Sequence, residues 1–298
     1  MIDNLLMVCS DGVAAIEFET VLGTTTPTIT APLLKWSKDR NNSEDHRLSN
    51  SVIGHTAHQR SNTTDTETTC GTTPSITTDD ITFYFGDDGT ATHTASNTNG
   101  TITSETKAMS WFSVASWLGN TTLGATVGHG LPVAPEFIIT KARDGANNWA
   151  CYHKTITATD LIYLNLNNGS TAYNQAWDST EPTSSVFSIG DNTVTNSGDM
   201  IAYCFASEIG VCKVGTVTVS GGTMSGDTNL GFPLGFGMFK RENGTGDWEI
   251  INSETTNFLV ANDGSSETSN GADRVTVVGN IISNNGIPDG IYIFVAIK

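Results

Sequence analysis

Three pairs of adjacent carboxylates, Glu44/Asp45, Asp79/Asp80 and Asp87/Asp88, are of the residue type that hydrolytic chemistry needs. A glycosidase sets two carboxylates across a sugar and raises the pKa of one of them. Neighbours on a strand point to opposite faces, so an adjacent pair makes no such site by itself. Asp87 also sits in a Gly-Asp step that recurs as Gly190-Asp191 and Gly279-Asn280, where a turn accounts for it. Metal chemistry would need the histidines, His46, His55, His58, His93, His129 and His153, to converge. His55 and His58 in "HTAHQR" would share a face on a helix, but the stretch reads as loop or strand. No G-x-S-x-G elbow, phosphate loop or H-E-x-x-H is present. These patterns assign no catalytic residue, no cofactor and no metal, and a non-enzymatic protein is expected.

Ligand contact without catalysis is the chemistry that remains. Trp177 lies in the polar loop "NQAWDSTEPTSS", which has no counterpart near the C-terminus, and an exposed indole there would stack on a sugar ring. Trp117 in "SVASWLGN", His46 and Arg47 complete the candidate ligand-contact residues. The competing reading for both tryptophans is that each closes the edge of a core. Trp36, inside an apolar run, is expected in the core.

These residues sit in a repeated frame. The phrase "KARDGANNW" (Lys141 to Trp149) returns ninety-nine residues later as "KRENGTGDW" (Lys240 to Trp248). The flanks agree: "GLPVAPEFIIT" and "GFPLGFGMF" precede the phrases, "LIYLNLNNG" and "NFLVANDG" follow, and "MIAYCFA" and "GIYIFVA" close them. Gly190 to Tyr203 and Gly279 to Tyr292 are both thirteen-residue steps. A diverged copy lies upstream, where Lys38 stands eight residues before His46, "ITFYFGDD" matches "VFSIGDN", and "KAMSWF" matches the closing strand. Such a duplication has to be recognised before any local motif is read. The expected units are residues 1–112, 113–208 and 209–298. In each, the lysine ends a strand at the surface, Gly and Asn supply left-handed turn residues, and the aromatic starts the returning strand and packs on the core.

Short runs rich in β-branched and aromatic residues alternate with clusters such as "DGANN", "NNGS" and "NDGSS", and no helical periodicity of useful length occurs. Charged residues are 15% of the chain and hydrophobic residues 37%, a balance that suits strands and turns rather than solvated helices. The expectation is an all-β fold of tandem antiparallel β-sandwich repeats, lectin-like or jelly-roll-like. The formal net charge is −17, with 14 Lys and Arg in no cluster, which argues against nucleic acid as a partner. No apolar stretch is long enough for a membrane-spanning helix, so no membrane insertion is expected. The start "MIDNLLMVCSDG" lacks a basic region and is read as no signal peptide. Five cysteines, Cys9, Cys70, Cys151, Cys204 and Cys212, include no C-x-x-C, and synthesis in a reducing cytoplasm is expected.

The run "TVGHGLPVAPEFIITKARDGANNWACYHKT", followed by "YLNLNNGSTAYNQAWDSTEPTSSVFSIGDNTVTNSGDMIAYCFAS", resembles the repeated domains of tail-fibre-like proteins of marine tailed bacteriophages. "HRLSNSVIG" with "SNTTDTE" resembles a second variant of those domains, in which an H-R-L segment replaces the tryptophan hairpin. The match is close over residues 121–206, looser over 26–112 and weak over 210–298. The resemblance implies a β-sandwich virion component, a tail fibre or tail-associated adhesin, made in the host cytoplasm. It implies other virion proteins, further copies of the chain (a trimer among the forms considered) and a host-surface glycan or protein as partners. A purely structural tail-tip, short-fibre or capsid-decoration protein is the alternative, and a glycan-degrading depolymerase would require two carboxylates facing one cleft. No catalytic residue carries over.

Overall fold

β-Branched and aromatic runs that are apolar at every position can be satisfied only by strands buried on both faces, and the structure supplies them. The computed structural model describes residues 18–70, 75–86, 91–269 and 274–298. Cys9 and the Asp87/Asp88 pair lie outside the described residues. The protein is all-β, with several antiparallel sheets and no helix among the described residues.

The N-terminal unit contributes β1 (Phe18–Leu22), β2 (Pro32–Asp39), β3 (Arg47–Asn50), β4 (Ala57–His58), β5 (Thr68–Thr69) and β6 (Asp80–Gly86). The central unit holds β7 (Thr92–Asn97), β8 (Ser104–Ala108), β9 (Phe112–Asn120), β10 (Ala125–Gly128), β11 (Phe137–Ala142), β12 (Ala150–His153), β13 (Asp160–Tyr163), β14 (Thr171–Ala172), β15 (Val186–Ile189) and β16 (Ser197–Phe205). The C-terminal unit has β17 (Cys212–Ser220), β18 (Thr223–Gly226), β19 (Phe236–Arg241), β20 (Trp248–Asn252), β21 (Phe258–Val260), β22 (Arg274–Val278), β23 (Ile281–Asn285) and β24 (Gly290–Ile297). One strand order recurs in the three main sheets: β1-β6-β2-β3, β9-β16-β11-β12 and β17-β24-β19-β20.

This pairing corrects the alignment of the first unit. β6, "DITFYFG", pairs with β1 and β2 as β16 pairs with β9 and β11, so it is the closing strand and not the equivalent of "VFSIGDN". "KAMSWF" instead joins β8 to β9, and β8 hydrogen-bonds to β9 in the central sheet, with Ser104 opposite Trp117. The first boundary therefore falls between Gly86 and Thr92 rather than at residue 112. A strand belongs where its ladder is, and an aromatic hexapeptide does not reveal its ladder.

The largest hydrophobic cluster is shared by all three sheets. Phe236 of the C-terminal unit packs edge-on to Phe83 (4.9 Å) and Phe85 (5.4 Å) of the first. Phe85 in turn meets Phe112 (5.5 Å), and Phe137 meets Trp248 (6.0 Å), so rings from the three units form one contiguous centre. Alternate residues serve the two faces. Ile293, Val295 and Ile297 of β24 enter the shared core, while Tyr292, Phe294 and Ala296 enter an outer cluster with Val275 of β22 and Ile282 of β23. The central unit repeats this scheme, its outer cluster including Val127 of β10 and Phe187 of β15.

The repeated lysine is not at the surface. Lys38, Lys141 and Lys240 are fully buried. Lys141 Nζ donates to the carbonyls of Ala142 (2.6 Å) and Gly145 (2.8 Å), Lys240 Nζ to those of Gly246 and Asn167 (2.9 Å), and Lys38 Nζ to those of Asp39 and Asn42 (3.1 Å). Burial lowers the pKa of Lys141 and Lys240 to about 8. None of the residues between each lysine and its aromatic has a positive φ, contrary to the expected left-handed turn. The ammonium organises a wider loop by collecting its carbonyls, so no tight turn is needed.

The aromatic that ends each phrase reaches into the unit before it in cyclic order, as expected of core residues but across a boundary. Trp149 Nε1 donates to Arg60 O (2.9 Å) of the first unit, and Trp248 Nε1 to Tyr163 O (2.9 Å) of the second. His46 Nε2 donates to Val260 O (2.9 Å) of the third, closing the ring. Two residues after each acceptor stands an asparagine, Asn62, Asn165 or Asn262. Its side-chain oxygen accepts the backbone N–H of the aromatic in its own unit, at 3.1, 2.9 and 2.6 Å. Each seam has a second clasp two residues past the lysine. Arg40 pairs with Glu267 (2.7 Å), Arg143 pairs doubly with Glu67 (2.8 and 2.9 Å), and Ser170 Oγ donates to Glu242 (2.6 Å). Backbone bonds Glu267 N to Arg40 O, Glu67 N to Arg143 O and Ser170 N to Glu242 O repeat the geometry at 2.7, 2.6 and 2.7 Å.

A shared core predicts one cooperative unfolding transition for the whole chain, seen as coincident loss of tryptophan fluorescence and far-ultraviolet dichroism in urea; two resolved transitions would overturn it. Lys141→Met should lower stability by about 1–3 kcal/mol, because two buried carbonyls lose their donor. An unchanged urea midpoint would show that the lysine is merely accommodated. His46 is held neutral, since Nδ1 accepts from Trp36 Nε1 (2.9 Å), and burial, with the charge of Lys38, lowers its pKa to about 3. Its folded pKa lies below the unfolded value, so the stability it contributes is full above about pH 6.5 and is lost as pH falls toward 3. The expected loss is on the order of 3 kcal/mol by pH 4 from this residue alone, and His46→Trp should show a shallower decline between pH 7 and 4.

Candidate binding surfaces

The four residues singled out for ligand contact are occupied by the fold. Trp177 is 2% exposed and packs edge-on to Tyr152 (6.0 Å), so it does not offer a stacking face. Its loop turns the indole into the outer core of the central unit while Asn174, Gln175, Ser179 and Thr180 stay exposed. Trp117, 4% exposed, lies edge-on to Phe187 (5.6 Å) in the same cluster. His46 is fully buried in a seam. Arg47 donates to the buried Asp80 (3.1 Å) across β2. The set is thus split between two units and converges on nothing.

The adjacent carboxylates have separate partners. Asp80 also accepts from Thr77 N (2.7 Å), whereas Asp79 accepts from Asn41 Nδ2 (2.7 Å). Asp45 is held by Asn62 Nδ2 (2.7 Å) and Arg60 (3.2 Å). His55 bridges Ser49 Oγ and Pro32 O, both at 3.1 Å, while His58 Nδ1 lies 3.4 Å from Cys70 Sγ. The two rings have separate partners, and among the described residues no group of three or more His, Cys, Asp or Glu could hold a metal ion.

All four non-glycine residues with positive φ among those described belong to the central unit: Thr121, Thr157, Asp178 and Ser179. Such backbone is costly and persists where the surroundings enforce it. Beside Thr157, Asp178 and Ser179, Glu181 ties the backbone down by accepting from Tyr152 OH and from Ala158 N (2.8 Å). The segment Ser170 to Thr183 is therefore anchored at Ser170 in a seam, at Trp177 in the core and at Glu181 on Tyr152.

A cleft of about 220 Å³ opens in the C-terminal unit. Phe239, Val275, Ile287 and Pro288 give it an apolar side, and Arg241, Arg274, Thr245, Asp247, Glu249 and Tyr292 give it a polar one. Asp247 and Glu249 flank the buried Trp248, so the i, i+2 spacing brings both carboxylates to one face of β20 and its approach. A search restricted to adjacent acids misses this pair, although "GDWEI" carries the signal. Arg274 Nη1 pairs with Glu249 Oε1 (2.6 Å) and its guanidinium lies 3.9 Å over the Phe258 ring. Burial raises the pKa of Glu249, and Arg274 acts against that rise. Asp247 Oδ1 accepts from Asn262 Nδ2 (2.9 Å), and among the described residues its second oxygen has no hydrogen-bond donor. Arg241 Nη2 donates to Asp289 O (2.6 Å), and its buried Nε has no hydrogen-bond partner. A Cβ on Gly290 would come within 2.6 Å of that Nε, so a glycine is needed there for the guanidinium to lie as it does. Two other clefts are lined by different chemistry: one of about 400 Å³ where β16 leads into β17, flanked by the ion pairs Lys154–Glu136 and Lys213–Asp227, and one of about 420 Å³ beside β22.

Residues 89–288 match the model of a family described as a domain of unknown function (DUF7483). That span is two thirds of the chain, and the chain belongs to this family. The match opens beside β7, where the central sheet begins, and ends just before β24. No curated protein and no solved structure matches the chain.

Proposed function

We propose that this member of the DUF7483 family is a virion component of a tailed bacteriophage, a tail fibre or tail-associated adhesin that attaches to the host surface. The observation that carries the reading is the division of labour within the repeat. The lysine loops, aromatic donors and asparagine caps are kept in all three units, while the residues facing solvent differ from unit to unit. A rigid scaffold displaying variable loops suits recognition, since binding residues concentrate on loops held by a fixed frame. The likeness of residues 121–206 to repeated tail-fibre domains supports the same reading. So does the finer view of the fold as tandem lectin-like sandwiches, each main sheet of the second and third units being covered by a two-stranded layer (β10–β15 and β22–β23).

Partners in this reading are other tail proteins, further copies of the chain and a host-surface glycan or protein. The aromatic seam closes within one chain, so a trimer or other homo-oligomer would use surface outside it. A net charge of −17 favours neither nucleic acid nor an anionic bilayer as partner. The Asp247/Glu249 pair meets the compositional requirement of a depolymerase, but Asn262 and Arg274 engage these carboxylates, and binding without hydrolysis is the reading kept. A structural virion protein with no receptor is the alternative.

The purified chain, its mass determined by light scattering, should bind saturably to intact cells of some strains in a bacterial panel. Binding to purified virion proteins with no cell bound would replace the adhesin by a structural component.

A further inference from the structure

We infer that the cleft of the C-terminal unit is a binding site for one neutral hexopyranose ring, which Arg241 and Asp247 grip through neighbouring hydroxyl groups. The inference rests on the attachment reading for its biological meaning and on the lining of the cleft for its chemistry.

A sugar hydroxyl both donates and accepts, so a vicinal diol is matched by a donor and an acceptor side by side. Arg241, whose Nη2 donates to Asp289 O, supplies the donor, and Asp247, held through Oδ1 by Asn262, supplies the acceptor, both lining the cleft. Thr245 adds a hydroxyl, and Tyr292, whose OH donates to Pro288 O (2.9 Å), keeps an acceptor lone pair. The exposed Pro288, with Ile287 and Val275 buried behind it, gives an apolar side that suits the C–H face of a pyranose. Two guanidinium groups balance two carboxylates in the lining, so the cleft has no net charge with which to select an acidic sugar or a phosphate. At about 220 Å³ it is smaller than sites that enclose drug-sized ligands, and one ring fits it better than a chain.

The polar groups are positioned before any ligand arrives, which cuts the ordering cost of binding. Arg274 is clamped between Glu249 and the Phe258 ring, Asp247 is fixed by Asn262, and Arg241 lies against Gly290. The position after the repeated lysine is Arg241 here but Asp39 and Ala142 in the other units. The arginine of this lining is therefore not repeated at the equivalent positions of the other two units.

Saturation-transfer NMR with free D-glucose, D-galactose, D-mannose and N-acetyl-D-glucosamine tests the proposal on the full chain, its fold monitored by thermal melting. At least one of these sugars should bind the wild type with a millimolar Kd, and Arg241→Gln and Gly290→Ala should each weaken it by about tenfold or more. Thr245→Val serves where Arg241→Gln lowers the melting midpoint, and Thr180→Ala on the central unit should leave binding unchanged. Absence of transfer to all four sugars, or binding undiminished by folded Arg241→Gln, overturns the site. The same variants on intact cells separate the two readings. Sugar binding without cell binding sustains the cleft and removes attachment, whereas cell binding with no sugar binding sustains attachment and removes the cleft.

Discussion

Each repeat depends on an ammonium group taken out of water and given backbone carbonyls instead. Burying a lysine is costly unless its donors find acceptors, and Lys38, Lys141 and Lys240 each place two of their three donors on backbone carbonyls. The same contacts fix the loop that carries the aromatic, so position follows from charge. Lys240 makes the coupling explicit, because one of its acceptors, Asn167 O, belongs to the neighbouring unit. Removing the charge would leave unpaired carbonyls next to a seam rather than at a free surface.

From that loop the aromatic crosses to the preceding unit, and three such crossings close on themselves. A head-to-tail contact generates a ring only when its rotation closes, and here the third crossing returns to the first unit through His46. The histidine reproduces the tryptophan's donor with a smaller ring and uses its other nitrogen to accept from Trp36. The clasps vary within the same geometry: Arg–Glu at two seams and Ser–Glu at the third, with the acid on the opposite partner. Differences of this kind give each seam its own match and oppose misordered pairing of similar units.

With the centre consumed by the ring, chemistry is left to the periphery, where the units diverge. The central unit spends its outer loop on strained backbone braced by Glu181, and the C-terminal unit opens a cleft beside Arg241, where the first two units have Asp39 and Ala142. A conserved interior and individual exteriors are the pattern of a scaffold whose recognition surfaces change independently of its stability.

The sequence by itself determined the all-β class, the strands "PEFIITKA", "MIAYCFA", "LGFGMFK" and "IYIFVAI", and the existence of three related units, because β-branched runs and repeated phrases are local signals. It also marked Trp149 and Trp248 as core residues. It did not show that Lys141 is buried, because a lysine at a strand end has the same local signature whether its ammonium meets water or carbonyls. Trp177 and Trp117 looked available for the same reason: polar neighbours in sequence do not reveal which way an indole turns. The allegiance of β8, the closure of the ring through His46 and Val260, and the arrival of Arg274 beside Glu249 in the cleft were decided by the tertiary structure, since each joins residues whose proximity comes from sheet register and packing rather than from spacing along the chain.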